Sequence, residues 1–209
     1  MASQAARTTT LAKVKSGGAA RVLRVIGGRH RGRKLRFPDG VDIRPTPDRV
    51  RETLFNWLQP RMDGARVLDL FAGSGALGLE SLSRGAAHAV FVERDRRAAT
   101  AIAAVLEEWR ETSGEVLCAD AMSWLARKHG SGAPSPAPPA FDIVFLDPPY
   151  DAELLGAAAA ALVTGGHLAA DARVYLERRA REPLSALPTG WRELRAGEAG
   201  EVGYHLFAV

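Results

Sequence analysis

The sequence predicts an α/β fold built on a mostly parallel sheet covered on both faces. Three observations predict it. From residue 66 onward, short apolar runs alternate with stretches of helical periodicity, which is the rhythm of successive strand–helix units. A glycine turn, Gly73-Ser74-Gly75-Ala76-Leu77-Gly78, follows the run Val67-Leu68-Asp69-Leu70-Phe71 and opens a helix. With 209 residues and 46% apolar content, the chain has material for one domain with a core of its own.

The elements follow in order. Residues 1–20 are rich in Ala, Ser and Thr, carry Arg7, Lys13 and Lys15, and contain no acids. They read as a flexible basic tail, a composition that a transit peptide shares. Residues 22–26 and 34–37 read as two short strands around Gly27-Gly28-Arg29-His30-Arg31-Gly32-Arg33, a hairpin with an Arg-rich tip. Thr46 can cap a helix with Pro47 at its first position. Val50, Leu54, Trp57 and Leu58 then share one apolar face through about Gln59, with Arg49 and Arg51 off it. Strands are expected at 66–71, 88–93, 115–119, 141–146 and 173–177, and helices at 76–84, 95–110, 121–128 and 152–163. Residues 130–140, GSGAPSPAPPA, read as a loop. The stretches 191–195 and 204–209 flank Gly-rich turn residues and predict a closing antiparallel hairpin.

Charge is unevenly placed. The chain carries +4 overall, yet residues 1–51 carry +10 and residues 52–209 carry −6. A basic end on an acidic body is an electrostatic footprint for a polyanion. Arg outnumbers Lys 24 to 4, which suits phosphate forks, although a GC-rich genome gives the same bias. No apolar run approaches the roughly 20 residues of a membrane span. The single cysteine, Cys118, excludes an internal disulfide, fits a reducing compartment such as the cytoplasm, and reads as a small core residue. The scattered histidines lack metal-ligand spacing, so no metal is expected.

Two motifs carry the chemistry. At the first, Gly73 and Gly75 let backbone approach a ligand, and Glu93 stands at the end of the second strand, where a carboxylate accepts ribose hydroxyls. A nicotinamide dehydrogenase satisfies the same pattern. Asp69 shifts the balance, because a strand-end carboxylate tolerates a cationic sulfonium and ammonium but repels pyrophosphate. Asp120, before Ala121, can accept from an adenine amine or cap the next helix. The second motif, Asp147-Pro148-Pro149-Tyr150, follows the run Ile143-Val144-Phe145-Leu146. A base's exocyclic amine is a poor nucleophile because its lone pair is delocalised. Acceptors such as the Asp147 carboxylate and the Pro148 carbonyl favour a pyramidal nitrogen, Pro149 fixes the backbone, and Tyr150 offers a stacking face. Together these motifs point to methyl transfer from S-adenosylmethionine to a base amine. They permit adenine N6, cytosine N4 or guanine N2.

The residues Arg24-Val25-Ile26-Gly27-Gly28, Arg31-Gly32-Arg33, Arg44-Pro45-Thr46, Arg51-Glu52-Thr53-Leu54-Phe55-Asn56, the stretch 69–80 (DLFAGSGALGLE) and DPPY resemble one family. It is the RsmD family of bacterial 16S rRNA guanine-N2 methyltransferases, within the Rossmann-like class I S-adenosylmethionine-dependent methyltransferases. The resemblance runs from about residue 21 to the end of the chain. It implies a seven-stranded sheet, a cofactor of S-adenosylmethionine, and a target guanine in 16S rRNA of the small ribosomal subunit. It further implies cofactor contacts from Asp69, Phe71, Gly73, Ser74, Gly75, Glu93, Arg94, Asp120, Ala121 and Asp147, with Arg44 and Thr46 at the methionine end. Asp147, Pro148, Pro149 and Tyr150 would hold the guanine. Arg29, His30, Arg31, Arg33, Lys34 and Arg36 on the basic hairpin would hold RNA phosphate. The expected organisation is a tail over 1–20, an RNA-binding hairpin and helix over 21–60, and a catalytic domain over 61–209, acting as a monomer. The competing reading within enzymes is an adenine-N6 methyltransferase of DNA or RNA.

Overall fold

The computed structural model describes residues 22–36, 46–127, 140–149, 152–184 and 186–209. Arg44, Tyr150, the tail and residues 130–139 of the insert lie outside the described residues. A two-stranded antiparallel ribbon opens the described chain: β1 (Val22–Arg24) and β2 (Lys34–Arg36), with Leu23 opposite Leu35. Helix α1 (Asp48–Met62) follows. Then come β3 (Arg66–Asp69), α2 (Ala76–Ser83), β4 (His88–Glu93), α3 (Arg96–Trp109), β5 (Gly114–Cys118), α4 (Ala121–Leu125), β6 (Phe141–Leu146), α5 (Ala152–Thr164) and β7 (Leu168–Arg179). Strands β8 (Arg192–Ala199) and β9 (Val202–Ala208) form the closing hairpin.

The main sheet has seven strands in the order β5-β4-β3-β6-β7-β9-β8. Strands β3 to β7 are mutually parallel, and β9 pairs antiparallel with both β7 and β8. The fold is therefore the mostly parallel α/β sheet that the alternation predicted, in the seven-stranded Rossmann-like form that the resemblance implied. The strand order reverses between β3 and β6, which is where open α/β sheets leave a crevice at the carboxyl ends of their strands.

Alternation along each strand sends side chains to two cores. Val67 joins Leu54, Phe55, Leu58, Leu79 and Ile102 from α1, α2 and α3 on one face. Leu68 joins Leu125, Leu155, Ala159 and Leu162 from α4 and α5 on the other. Val25 and Leu35 of the ribbon lie in the first core, so the ribbon and the sheet share one packed interior.

Three local expectations need correction. Thr46 does not cap α1, because the cap position is Pro47 and the Thr46 hydroxyl instead donates 2.7 Å to Glu177 Oε1. Arg51, expected to lie off the apolar face of this helix, is 0% exposed. Its Nη2 donates to Asp48 Oδ1 at 2.7 Å and to the Arg24 carbonyl at 2.9 Å, and its Nη1 lies 3.8 Å from Glu80 Oε2. Cys118 is exposed rather than in the core, because β5 is an edge strand of the sheet.

Glu80 is the hub of that region. It is fully buried on α2, and its two oxygens accept the backbone N–H groups of Ile26 and Gly27, each at 2.7 Å. Arg84 Nε donates 2.7 Å to the same carboxylate. The ribbon loop is also held at the end of α2 by Ser83, whose carbonyl accepts from Arg29 N and whose hydroxyl donates to the Gly27 carbonyl. Gly28 has φ +75°, and a Cβ there would lie 1.8 Å from the Ser83 carbonyl oxygen, so only glycine allows this approach.

Candidate active site

Each of the five parallel strands delivers an acid to one end of the sheet. Asp69 ends β3, Glu93 ends β4, Asp120 follows β5 by two residues, Asp147 follows β6 directly, and Glu177 lies near the end of β7. A cleft of about 890 Å³ runs across this edge, and all five acids line it. Phe71, Gly73, Ser74, Arg94, Ala121, Pro148 and Pro149 line the same cleft, as does Thr46 at the entrance to α1. Apart from Gly75, the described sequence-derived cofactor and base residues line one cleft, with Arg44 and Tyr150 outside the described residues.

The glycine turn is built from the strand end outward. Gly73 N donates 2.7 Å to Glu93 Oε2, and Glu93 Oε1 accepts 2.7 Å from Asp95 N. The carboxylate expected at a ribose therefore also holds two loops in register, and each oxygen keeps further lone-pair capacity. Gly75 is not part of the cleft wall. It caps α2 at φ 70°, and a Cβ there would press 2.8 Å onto Ile102 Cγ1, so its smallness serves turn geometry and packing. Asp120 caps α4 by accepting 2.8 Å from Ser123 N, which holds its carboxyl below the ordinary range while it faces the cleft.

Two buried carboxyls, Asp69 and Glu177, meet the half-buried Asp147 at the centre. Asp69 is 3% exposed and accepts 3.0 Å from Gly78 N through Oδ2. Burial, reinforced by the charge of Glu93, pushes it up to about 7, against the Gly78 hydrogen bond. Burial, with Glu177 and Asp69 nearby, likewise raises Asp147 well above the usual carboxylate range. Glu177 is 7% exposed and is also raised by burial, although its Oε1 accepts from the hydroxyls of Thr46 (2.7 Å) and Tyr175 (2.8 Å). A dense set of acids is poor company for a pyrophosphate. It suits a ligand bearing positive charge, and a cationic sulfonium with an ammonium group fits the donor set.

Glu177 escaped the sequence reading. Its signal was present: Val174-Tyr175-Leu176-Glu177 is an apolar run ending in an acid, the pattern that marked Asp69 and Asp147.

The basic ribbon differs from its expected form at one residue. Arg31, Lys34 and Arg36 are exposed. Arg33 is exposed and lies 5.7 Å over the Trp109 ring, while Arg29 pairs with Glu111. His30, expected among the RNA contacts, is 8% exposed and stacks on Trp109 with ring centroids 4.3 Å apart. It pins the ribbon to α3 instead of projecting outward. Burial, with Arg33 and Arg29 adding to it, lowers its pKa from the ordinary value.

Comparison with known proteins bears on these observations. The family described as conserved hypothetical protein 95 matches residues 23–208. Ribosomal RNA small subunit methyltransferase D of Escherichia coli is 44% identical over 185 residues, covering 88% of this chain and 89% of that one. The solved structure of Escherichia coli yhhF superposes with a TM-score of 0.80 at 41% identity, covering 90% of this chain and 98% of that one. The Thermus thermophilus 16S rRNA N2 methyltransferase RsmC, solved with AdoMet and guanosine, superposes at 0.62 with 23% identity over 90% of this chain and 49% of that one, a likeness of fold.

Proposed function

The chain belongs to the conserved hypothetical protein 95 family, the RsmD family, and on that premise we propose that it methylates the exocyclic N2 of a guanine in 16S rRNA of the small ribosomal subunit. The chain is an S-adenosylmethionine-dependent rRNA methyltransferase. The single observation that carries the finer reading is the meeting of Asp147 and Pro148 with the glycine turn and Asp69 in one cleft. Guanine as the base follows from the family resemblance.

S-adenosylmethionine, when bound, supplies a methyl group on a cationic sulfur. The chain's own residues do the rest. Glu93, Gly73 and Asp120 hold the nucleoside side of the cleft, and Asp69 offsets positive charge beside the strand end. The Asp147 carboxylate and the Pro148 carbonyl accept the two N–H groups of the target amine and favour the pyramidal nitrogen whose lone pair meets the methyl. The chain needs no oxyanion hole for such a transfer; orienting the amine would supply most of the acceleration, and the proton shed by the nitrogen would pass to the Asp147 carboxylate or to solvent. Arg29, Arg31, Arg33, Lys34 and Arg36 would grip RNA phosphate on the ribbon. His30 acts only by holding that ribbon on Trp109.

The test is product identity. The protein is incubated with methyl-labelled S-adenosylmethionine and small subunits lacking their own modification, the RNA is digested, and the labelled nucleoside is identified by mass. Label in N2-methylguanosine is expected. Label in N6-methyladenosine would retain the fold and cofactor and overturn the base.

A further inference from the structure

Resting on the guanine-N2 reading, we propose that Glu177 is the specificity-determining residue of the base site, accepting the N1–H of the target guanine. The argument starts from register. Leu146 of β6 pairs with Leu176 of β7, so Asp147 and Glu177 occupy the next positions on adjacent parallel strands. Neighbouring strands lie roughly 4.8 Å apart. Both residues line the same cleft.

The carboxyl is held in a set orientation. The Thr46 and Tyr175 hydroxyls both donate to Oε1, at 2.7 and 2.8 Å. Among the described residues nothing donates to Oε2, and it is not one of the side-chain oxygens sealed from solvent. A buried glutamate anchored through one oxygen therefore presents the other to the cleft as an acceptor. Tyr175 is fully buried, so that anchor belongs to the core.

Counting donors then selects the base. The Watson–Crick edge of guanine has three adjacent N–H donors, two on N2 and one on N1. Asp147, the Pro148 carbonyl and Glu177 Oε2 are three acceptors. Adenine offers two donors on N6 and a lone pair at N1. A third acceptor facing that lone pair repels adenine, and an unmet acceptor in a buried site disfavours it further. The guanine donors hydrogen-bond the charged form of Glu177 and so draw it toward the carboxylate. Asp147 and Pro148 alone do not distinguish two exocyclic amines. Glu177 does.

2-Aminopurine tests the claim, because it keeps the 2-amine of guanine and replaces N1–H by a lone pair; it also lacks the 6-oxygen, so the change of ratio in the Glu177 variant is the decisive comparison. The protein is saturated with S-adenosylhomocysteine, which fills the adenine site of the cofactor, and titrated by NMR with guanosine and with 2-aminopurine riboside. Wild type should prefer guanosine by roughly 10- to 100-fold. Glu177→Gln, which can keep its carbonyl on Thr46 and Tyr175 and turn an NH2 toward the cleft, should bring the two affinities together or invert them. A purely structural role would weaken both nucleosides alike and leave their ratio intact. Thr46→Val, which removes one of the two hydroxyls on Oε1, should move the ratio in the same direction by less, and it serves if Glu177→Gln does not fold. A wild-type ratio near one, or an unchanged ratio in the folded variant, overturns the assignment. Product analysis separates the two levels. N2-methylguanosine together with an unchanged ratio sinks Glu177 alone, whereas N6-methyladenosine sinks the guanine reading beneath it.

Discussion

Replacing Asp69 by Asn should stabilise the cofactor-free protein more at pH 8 than at pH 5. Asn keeps an oxygen for the 3.0 Å bond from Gly78 N, so the α2 turn is preserved, but it cannot ionise. Burial raises the Asp69 pKa from 3.8 to about 7. An acid whose folded pKa lies above its unfolded value costs stability as pH rises between the two, because the unfolded chain releases the proton first. The cost begins near pH 4 and is complete above about 7. Between pH 5 and pH 8 the stability difference between variant and wild type should therefore grow by about 2.5 kcal/mol, an order-of-magnitude figure. In urea melts this is roughly a 1 M change in the separation of the two midpoints. Saturating S-adenosylhomocysteine, whose ammonium favours ionised Asp69, should stabilise wild type more than the variant at pH 8. A separation that does not change with pH would refute the argument, since the acid would then ionise in the fold as freely as in the unfolded chain.

Three further outcomes are expected. Glu80→Ala takes one of the two carboxylates facing buried Arg51, leaving it Asp48, and strips the acceptor from Arg84 Nε and from the N–H groups of Ile26 and Gly27, so it should cost about 3–5 kcal/mol in thermal or chemical unfolding. A loss below about 1 kcal/mol would mean that the ribbon does not depend on this hub. Asp147→Ala should lower kcat by about 100-fold or more while the affinity for S-adenosylhomocysteine changes little. An equal loss of cofactor affinity would remove Asp147 from the base site. Reversing Arg31 and Arg33 to Glu should weaken RNA binding and reduce its log–log salt slope by about 2, and unchanged binding would place the RNA face elsewhere.

The layers of this fold were legible because they rest on local periodicity. Val67 and Leu68 point to opposite cores by simple alternation, and the glycine turn announces the helix that follows. Four strand-end acids were legible for the same reason, each standing directly after an apolar run. What escaped depends on partners distant in sequence. Arg51 reads as a charge off the apolar face of its own helix, and its burial is made tolerable by Asp48 together with two groups distant in sequence, the Arg24 carbonyl and Glu80 on α2. His30 reads as a loop-tip residue until Trp109 of α3 stacks on it. Cys118 sits in an apolar run, and its exposure follows from β5 being an outer strand, a fact of sheet order. Glu177 acquires meaning only when β7 is seated beside β6, which puts it next to Asp147.

Helix α2 has a consequence for which RNA geometries the protein can serve. Its first residue follows the glycine turn, and its last turn carries Glu80 and Ser83, the two residues that clamp the basic ribbon. Eight residues of α-helix are roughly 12 Å long and bend little. The ribbon and the methyl-donor cleft are thus the two jaws of a calliper with a fixed opening. Neither jaw can follow a moving substrate without breaking a buried charge network, so accommodation falls to the RNA. On the proposed reading of ribbon and cleft, an RNA whose backbone already holds its target base at that offset would be methylated, and an otherwise identical nucleotide in a helix of different shape would pass untouched.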